Sequence, residues 1–342
     1  MTVMSAVDRL ATDPRFRALD RAGAPLGDAV RKLPQAALDV LHGTWLGHPL
    51  HPAVAMLPVG AFLSSAVIDV ATTANAALGG DDARARERRD GADDASALLV
   101  AVGLAAVPLA AAAGAADWSQ LRGEQKRIGL VHAAANTAAT VLLAGSLVQR
   151  RRGRRSSGRA LGVAGTLVSG AAAAIGGHLS YRWGAGANHA DGTAPEVEDR
   201  WTSVGRLEDF ADRTPVRAEV DGAPVVVVRS GGVVQALGDV CSHLSGPLHE
   251  GEVSDETVDG RPTACVSCPW HGSVFSLEDG RVVHGPATSP QPAFETRVLA
   301  GEVQVRPLPA GTTTVDLRER NAVGAGASAG QRPLGAVVPP VG

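Results

Sequence analysis

Apolar residues divide the chain into two unlike parts. Four long apolar stretches lie at 52–72, 95–116, 128–148 and 160–179. Each runs about 20 residues, enough at about 1.5 Å per residue to cross a hydrocarbon core of about 30 Å. A helix in a soluble bundle shows a polar face at a period of 3.6, and the second and fourth stretches show none. Their Ala, Gly and Ser content suits close helix packing in lipid. Beyond Trp201 the period changes to two. Short Val-rich or alternating runs at 216–220, 224–229, 233–237, 282–283, 294–298 and 303–305 are punctuated by Asp221-Gly222, Gly231-Gly232, Asp279-Gly280 and Ala300-Gly301. Such pairs favour tight turns between antiparallel strands. The pattern predicts a multi-domain chain: an all-α four-helix transmembrane bundle, then a small all-β domain.

The boundaries follow from the same pattern. Residues 1–47 form an amphipathic or surface segment, with a helix over 30–41 broken at Pro34. Residues 48–185 form the transmembrane domain, 186–200 a Gly-rich linker, 201–307 the β domain, and 308–342 a disordered tail rich in Gly, Pro, Ala and Thr. Residues 1–10 lack the apolar core of a signal peptide.

Charge adds an orientation. The loop after the first helix carries Arg84, Arg86, Arg88 and Arg89; that after the third carries Arg150, Arg151, Arg152, Arg154, Arg155 and Arg159. The positive-inside rule makes their side cytoplasmic and places the β domain on the extracytoplasmic side of the cell membrane. Tyr181 and Trp183 fit an aromatic belt at the end of the fourth helix. A net charge of −3 implies no nucleic-acid partner.

Candidate chemistry concentrates in two short runs, Cys241-Ser242-His243 and Cys268-Pro269-Trp270-His271-Gly272. Each offers one thiolate and one imidazole. Cys241 and Cys268 on one iron with His243 and His271 on the other suit a [2Fe–2S] cluster, and mixed ligation raises its potential above that of an all-thiolate cluster. Zinc in a Cys2His2 site is the rival, although such sites usually begin with two cysteines. Three cysteines leave Cys265 over, with no disulfide framework. Cys265 reads as a small buried residue on the strand leading to Cys268.

At these residues the sequence resembles the Rieske family, from about Trp201 to Pro307. The resemblance rests on Cys241-Ser242-His243-Leu244, on Cys268-Pro269-Trp270-His271-Gly272-Ser273, and on a later Gly285-Pro286-Ala287. It implies a small β Rieske-type iron–sulfur domain with an electron-transfer role. His243 and His271 would then lie at a docking surface, Ser273 would tune the potential, and Pro286 would help shield the cluster. Leu244, Pro247, Trp270 and Phe275 would exclude water. Respiratory members carry a disulfide where Gly246 and Trp270 stand here, and a Tyr where Phe275 stands. The region around 254–262 reads as a loop insertion.

A second constellation sits in the apolar part. His48 and His51 at the mouth of the first helix, Asp117 at the end of the second, His132 and Asn136 in the third and His178 in the fourth fall at one membrane level. Ionisable residues inside a membrane are costly and point by default to function. Three readings compete: a b-type haem held by two of the histidines, a quinone site, and a structural or metal-binding polar cap. Gly47-His48-Pro49-Leu50-His51-Pro52 and Gly176-Gly177-His178-Leu179-Ser180-Tyr181 resemble an uncharacterised bacterial family of four-helix membrane domains. That resemblance implies topology and no activity.

The resulting expectation is a membrane-anchored electron carrier, with membrane lipid and a redox protein as partners, relaying electrons to or from haem or quinone. One alternative is a ferredoxin-like donor to a separate oxygenase. Another is a membrane protein with structural histidines and a partner-binding β domain. A complete oxygenase does not fit, since too few residues follow His271 to house an iron site on a further domain.

Overall fold

A computed structural model describes residues 3–78, 82–191 and 197–308. It divides into two units between Ala187 and Asn188. The tail expected at 308–342 lies, apart from its first residue, outside the described residues.

The first unit is helical: α1 (Val3–Thr12), α2 (Ala18–Arg31), α3 (Gln35–His42), α4 (Leu50–Leu78), α5 (Ala83–Gln120), α6 (Gly123–Arg151) and α7 (Arg155–Trp183). The last four contain the four apolar stretches and are long and apolar enough to cross a membrane. Their large side chains face outward: Met56, Leu57, Leu63 and Val67 in α4, Leu98 and Val102 in α5, Val141 in α6 and Leu167 in α7 are all exposed. The buried faces carry Ser65, Asp69, Asp93, Ser96, Ser146 and Arg150 beside a small apolar cluster of Phe62, Val100 and Leu143. Apolar outside and polar inside is the arrangement lipid demands.

Several boundaries differ from the sequence reading. The helix expected at 30–41 breaks at Pro34, the N-cap of α3, as expected, but the part before the break is the end of the longer α2. The arginines placed in a loop after the first helix belong to the first turns of α5, where the Asp82 carboxylate accepts from Ala85 N at 2.7 Å. Arg150 and Arg159, read as topology charges, turn inward. Arg150 pairs with Asp69, and Arg159 Nε and Nη2 grip Asp93 at 2.8 and 2.9 Å.

The two hairpins α4–α5 and α6–α7 repeat one another. At a constant offset, His51, Phe62, Ser65 and Asp69 of α4 match His132, Leu143, Ser146 and Arg150 of α6. Ser96, Gly103, Ala110 and Gly114 of α5 likewise match Gly158, Gly165, Ala172 and Gly176 of α7. The contacts match as well. A Cβ on Gly103 would meet Phe62, and one on Gly165 would meet Leu143. Ser65 bonds Ser96 across its hairpin at 2.8 Å, and Ser146 bonds the Gly158 carbonyl at 2.6 Å. Equivalent residues also meet each other, His51 with His132 and Asp69 with Arg150. That is what a local two-fold axis between the hairpins requires.

The N-terminal helices are fastened to this bundle. Asp8 of α1 accepts from Trp183 Nε1 at 3.0 Å and lies 2.8 Å from His178 Nε2. His42 of α3 bonds Asp117 at 2.9 Å, and Arg31 of α2 donates to the Ser119 carbonyl at 2.7 Å. Trp118 fits between glycines of α2 and α6, where a Cβ on Gly23 or Gly129 would meet its ring.

Among its described residues the second unit holds ten strands: β1 (Thr202–Arg206), β2 (Val216–Val220), β3 (Ala223–Ser230), β4 (Val233–Gly238), β5 (Glu252–Val258), β6 (Arg261–Ser267), β7 (Val274–Ser276), β8 (Val282–His284), β9 (Ala293–Leu299) and β10 (Glu302–Pro307). One antiparallel sheet runs β1-β10-β9-β4-β3-β2 and the other β5-β6-β7-β8. The presumed loop insertion is the β5–β6 hairpin. Asp259 and Gly260 both have positive φ there, as do Asp221 with Gly222 and Gly231 with Gly232 at the β2–β3 and β3–β4 turns. Two successive left-handed residues match the twist of paired strands. The valines of β3 bury both faces of the first sheet. Val225 and Val227 enter one core with Phe210 and Phe294; Val226 and Val228 enter a second with Cys241, Cys268, Phe275 and Leu277.

Candidate metal centre

Two loops beside the second core carry the thiols and imidazoles, and they are the same turn used twice. In the first, Cys241 N donates to Gly246 O at 2.8 Å and Ser245 N to Cys241 O at 2.9 Å. In the second, Cys268 N donates to Ser273 O at 2.8 Å and Gly272 N to Cys268 O at 3.0 Å. The residue four places after each cysteine is left-handed, Ser245 at φ 61 and Gly272 at φ 73. The paired strands β6 and β7 hold the second loop at its base, Ser267 opposite Val274.

Both cysteines are buried and not bridged to each other, and their side chains are within hydrogen-bonding reach. The imidazoles of His243 and His271 lie with centroids 4.9 Å apart and planes at 88°. His243 Nδ1 and His271 Nε2 are withdrawn from water. The donors thus form two pairs, sulfur with sulfur and ring with ring. Among the described residues no three His, Cys, Asp or Glu side chains gather as a single ion would need. Zinc wants four donors at about 2.0–2.3 Å from one point. A two-iron cluster keeps its sulfur and nitrogen donors on separate metals, and the paired arrangement fits that. Charge agrees: the Cys241 thiol is pushed far above its ordinary range, first by its hydrogen bond with Cys268 and then by burial. Two thiolates at this place need a cationic group between them.

The surrounding residues divide by role. Phe275 and Ser273 are fully buried, Pro286 is buried and Leu244 and Pro247 are half-buried. Trp270 is 44% exposed, so only part of its ring shields the loops. Gly246 and Trp270 do face each other: a Cβ on Gly246 would lie 3.2 Å from Trp270 Cγ and 2.6 Å from Cys268 Sγ. Ser273 Oγ accepts from Ala287 N at 3.0 Å, and Ser242 Oγ donates to Ser289 O at 2.7 Å. Those two bonds tie the segment 285–289 to both loops. Cys265 lies buried in β6, its thiol pushed up to about 12 chiefly by burial.

Sequence reasoning passed over Asp239 and His249. The buried Asp239 carboxylate takes His249 N at 2.8 Å and His249 Nδ1 at 2.7 Å, closing the first loop behind Cys241. The available signal was an acidic residue two places before a cysteine at a strand end.

Known proteins match each unit separately. The family model for the Rieske [2Fe-2S] domain matches residues 200–296. Over 105 residues the chain is 30% identical to the anthranilate 1,2-dioxygenase ferredoxin subunit of Burkholderia cepacia, covering 31% of this chain and 90% of that protein. The chain belongs to the Rieske family. Ferredoxin CarAc of Metapseudomonas resinovorans is 35% identical over 106 residues, 31% of this chain and 92% of its own. A solved structure, the ferredoxin of carbazole 1,9a-dioxygenase from Nocardioides aromaticivorans IC177, is 29% identical over 32% of this chain and 98% of that one, with a TM-score of 0.29. Residues 47–189 match a second family, described as a predicted membrane protein (DUF2231). The protein is a Rieske domain fused to a four-helix membrane domain, and the Rieske family carries a [2Fe–2S] cluster.

The membrane constellation comes apart on inspection. His48 is exposed beside the Pro49 carbonyl, His178 is engaged by Asp8, and Asp117 by His42. Only His51, His132 and Asn136 come together.

Proposed function

We propose that Cys241, Cys268, His243 and His271 hold a [2Fe–2S] cluster, the thiolates on one iron and the imidazoles on the other. The observation that carries this is the pairing of two buried thiols with two adjacent rings on twin turns. When bound, such a cluster takes up and returns one electron at a potential above that of an all-thiolate cluster. The protein's own residues do the rest. Main-chain bonds within each turn fix the cysteines, Phe275 and Leu277 keep water away from the sulfurs, and Ser273 with Ala287 fastens the covering segment. His243 and His271 sit at the loop surface, where a redox partner protein docks.

The membrane domain makes this carrier a fixed component of the bilayer, exchanging electrons with a haem or quinone there. The basic α4–α5 and α6–α7 connections face the cytoplasm on this reading, and the chain leaves α7 on the opposite side. A second reading, donor to a separate oxygenase, is the role that the names of some of the relatives, the dioxygenase ferredoxins, suggest. Iron and sulfide analysis with electron paramagnetic resonance of the reduced protein tests the first claim. Two irons, two sulfides and a mean g value below 2 are expected; zinc without sulfide would overturn it. Protease accessibility of the β domain in sealed vesicles tests the side, and turnover with a purified oxygenase tests the second reading.

A further inference from the structure

The cluster leaves two half-buried histidines of the membrane domain without a role. His51 and His132 are equivalent residues of the two hairpins, with ring centroids 6.1 Å apart and planes at 89°. Each places Nδ1 on a helical carbonyl, Ala110 O and Ala172 O, both at 2.8 Å. A carbonyl only accepts, so Nδ1 carries the proton in both rings and Nε2 keeps its lone pair. Asn136 Nδ2, which donates to the His132 carbonyl at 3.0 Å, also lies 3.1 Å from His132 Nε2, so a metal bound at that nitrogen takes the place of the Asn136 contact. Gly114 and Gly176 make room, since a Cβ on either would come within 2.8 or 2.9 Å of a ring. Tautomer and orientation are therefore set by the backbone, as for metal-binding imidazoles.

The separation and the donor count narrow the occupant. Two imidazoles each bonded at about 2.0 Å to one metal have centres roughly 6 Å apart. Among the described residues no third His, Cys, Asp or Glu joins them. A bare zinc ion would be two ligands short and would bring an uncompensated double charge into an apolar bundle. A metal already carrying four in-plane nitrogens needs two axial donors and no more. Its two axial positions are equivalent, as the two histidines are across the local axis. We propose that His51 and His132 are the axial ligands of an iron porphyrin held between the hairpins. The assignment deepens the electron-carrier reading, which gives the porphyrin iron its use, and it can fail separately.

The test uses the whole chain, purified in detergent from cells supplied with a haem precursor, with hemin added to any haem-free fraction. About one haem per chain is expected, with a Soret band and the cluster's paramagnetic signal in the same sample. His51→Gly and His132→Gly should lose the Soret band and regain it with added imidazole, which distinguishes ligation from misfolding. His48→Ala and His178→Ala should keep it. A cluster signal with no Soret band after hemin addition overturns the axial assignment and leaves the carrier reading standing. So does copper or zinc in place of porphyrin, or a Soret band indifferent to both His51 and His132. A Soret band without a cluster signal upholds the assignment and sinks the carrier reading.

Discussion

Gly246 keeps open the space that the Cys268 sulfur occupies. A Cβ there would stand 2.6 Å from Sγ, with Trp270 closing the other side at 3.2 Å. Overpacking a filled site costs about 1–3 kcal/mol, and here the atom displaced is a donor. Gly246→Ala should lower the iron-to-protein ratio of purified protein several-fold. Gly272 makes the control: its φ is 73 and nothing lies within 4 Å of its missing Cβ. Gly272→Ala should cost about 1 kcal/mol of backbone strain, lowering the thermal midpoint while iron is retained. Equal iron loss in both variants would mean that the turn, not the space, governs binding. Ser273 makes a second residue-scale case. Removing its hydroxyl strands the Ala287 amide, at about 1–3 kcal/mol, and removes a polar group from the base of the second cysteine loop. Ser273→Ala should lower the reduction potential and speed hydrogen exchange at the Ala287 amide together. A fall in potential with unchanged exchange would separate the two roles.

At the scale of elements, α1 hangs on one carboxylate. Asp8 is held below its ordinary value of 3.8, first by its hydrogen bond with His178, with Trp183 adding to it. A depressed carboxylate contributes fully to the folded arrangement above its ordinary value and loses that contribution as pH falls from there through its lowered folded value. Amides of residues 3–12 should be protected from hydrogen exchange at neutral pH and lose that protection, relative to the intrinsic rate, as pH drops below about 4 in a series read by mass spectrometry. Asp8→Ala should lack the protection at neutral pH. Protection unchanged through the acid range in the native protein would show that packing, not this pair, holds α1. How legible each element was follows its physics. The apolar runs of α4–α7 and the Val runs of β2, β3 and β4 were plain, because burial or lipid repeats one chemical type at a fixed period. The strand β5, Glu-Val-Ser-Asp-Glu-Thr-Val, was missed because five of its seven residues are charged or hydroxylated and it sits at a sheet edge. The four proposed donors stand out in the sequence by their spacing, whereas Asp239, His249 and the Ser273–Ala287 bond depend on chain segments meeting in space. The membrane histidines looked like one set because helix position fixes their height, and only side-chain direction sorts them.

At the scale of the molecule, the repeated hairpins hold opposite charges where symmetry would place like ones. Asp69 of α4 and Arg150 of α6 occupy equivalent positions and pair across the local axis, side chains 1% and 4% exposed. Two identical hairpins would have set carboxylate against carboxylate, so the pair specifies which hairpin meets which. The repeat escaped the sequence because its shared features are a few polar residues in a background of Ala, Gly and Val. Breaking a buried pair from one side leaves an uncompensated charge and costs about 3–5 kcal/mol; replacing both partners with apolar residues is often neutral. Asp69→Leu should therefore sharply lower the thermal midpoint in detergent, and Asp69→Leu with Arg150→Leu should recover most of it. Reversal is the informative third variant. Asp93 of α5 stands 3.9 Å from Arg150 Nη1 while gripping Arg159. Asp69→Arg with Arg150→Asp would set a new carboxylate against Asp93, so it should stay destabilised where the double leucine recovers. Full recovery by the reversed pair would mean that Asp69 and Arg150 form an isolated couple, and that the second carboxylate plays no part in fixing how the hairpins meet.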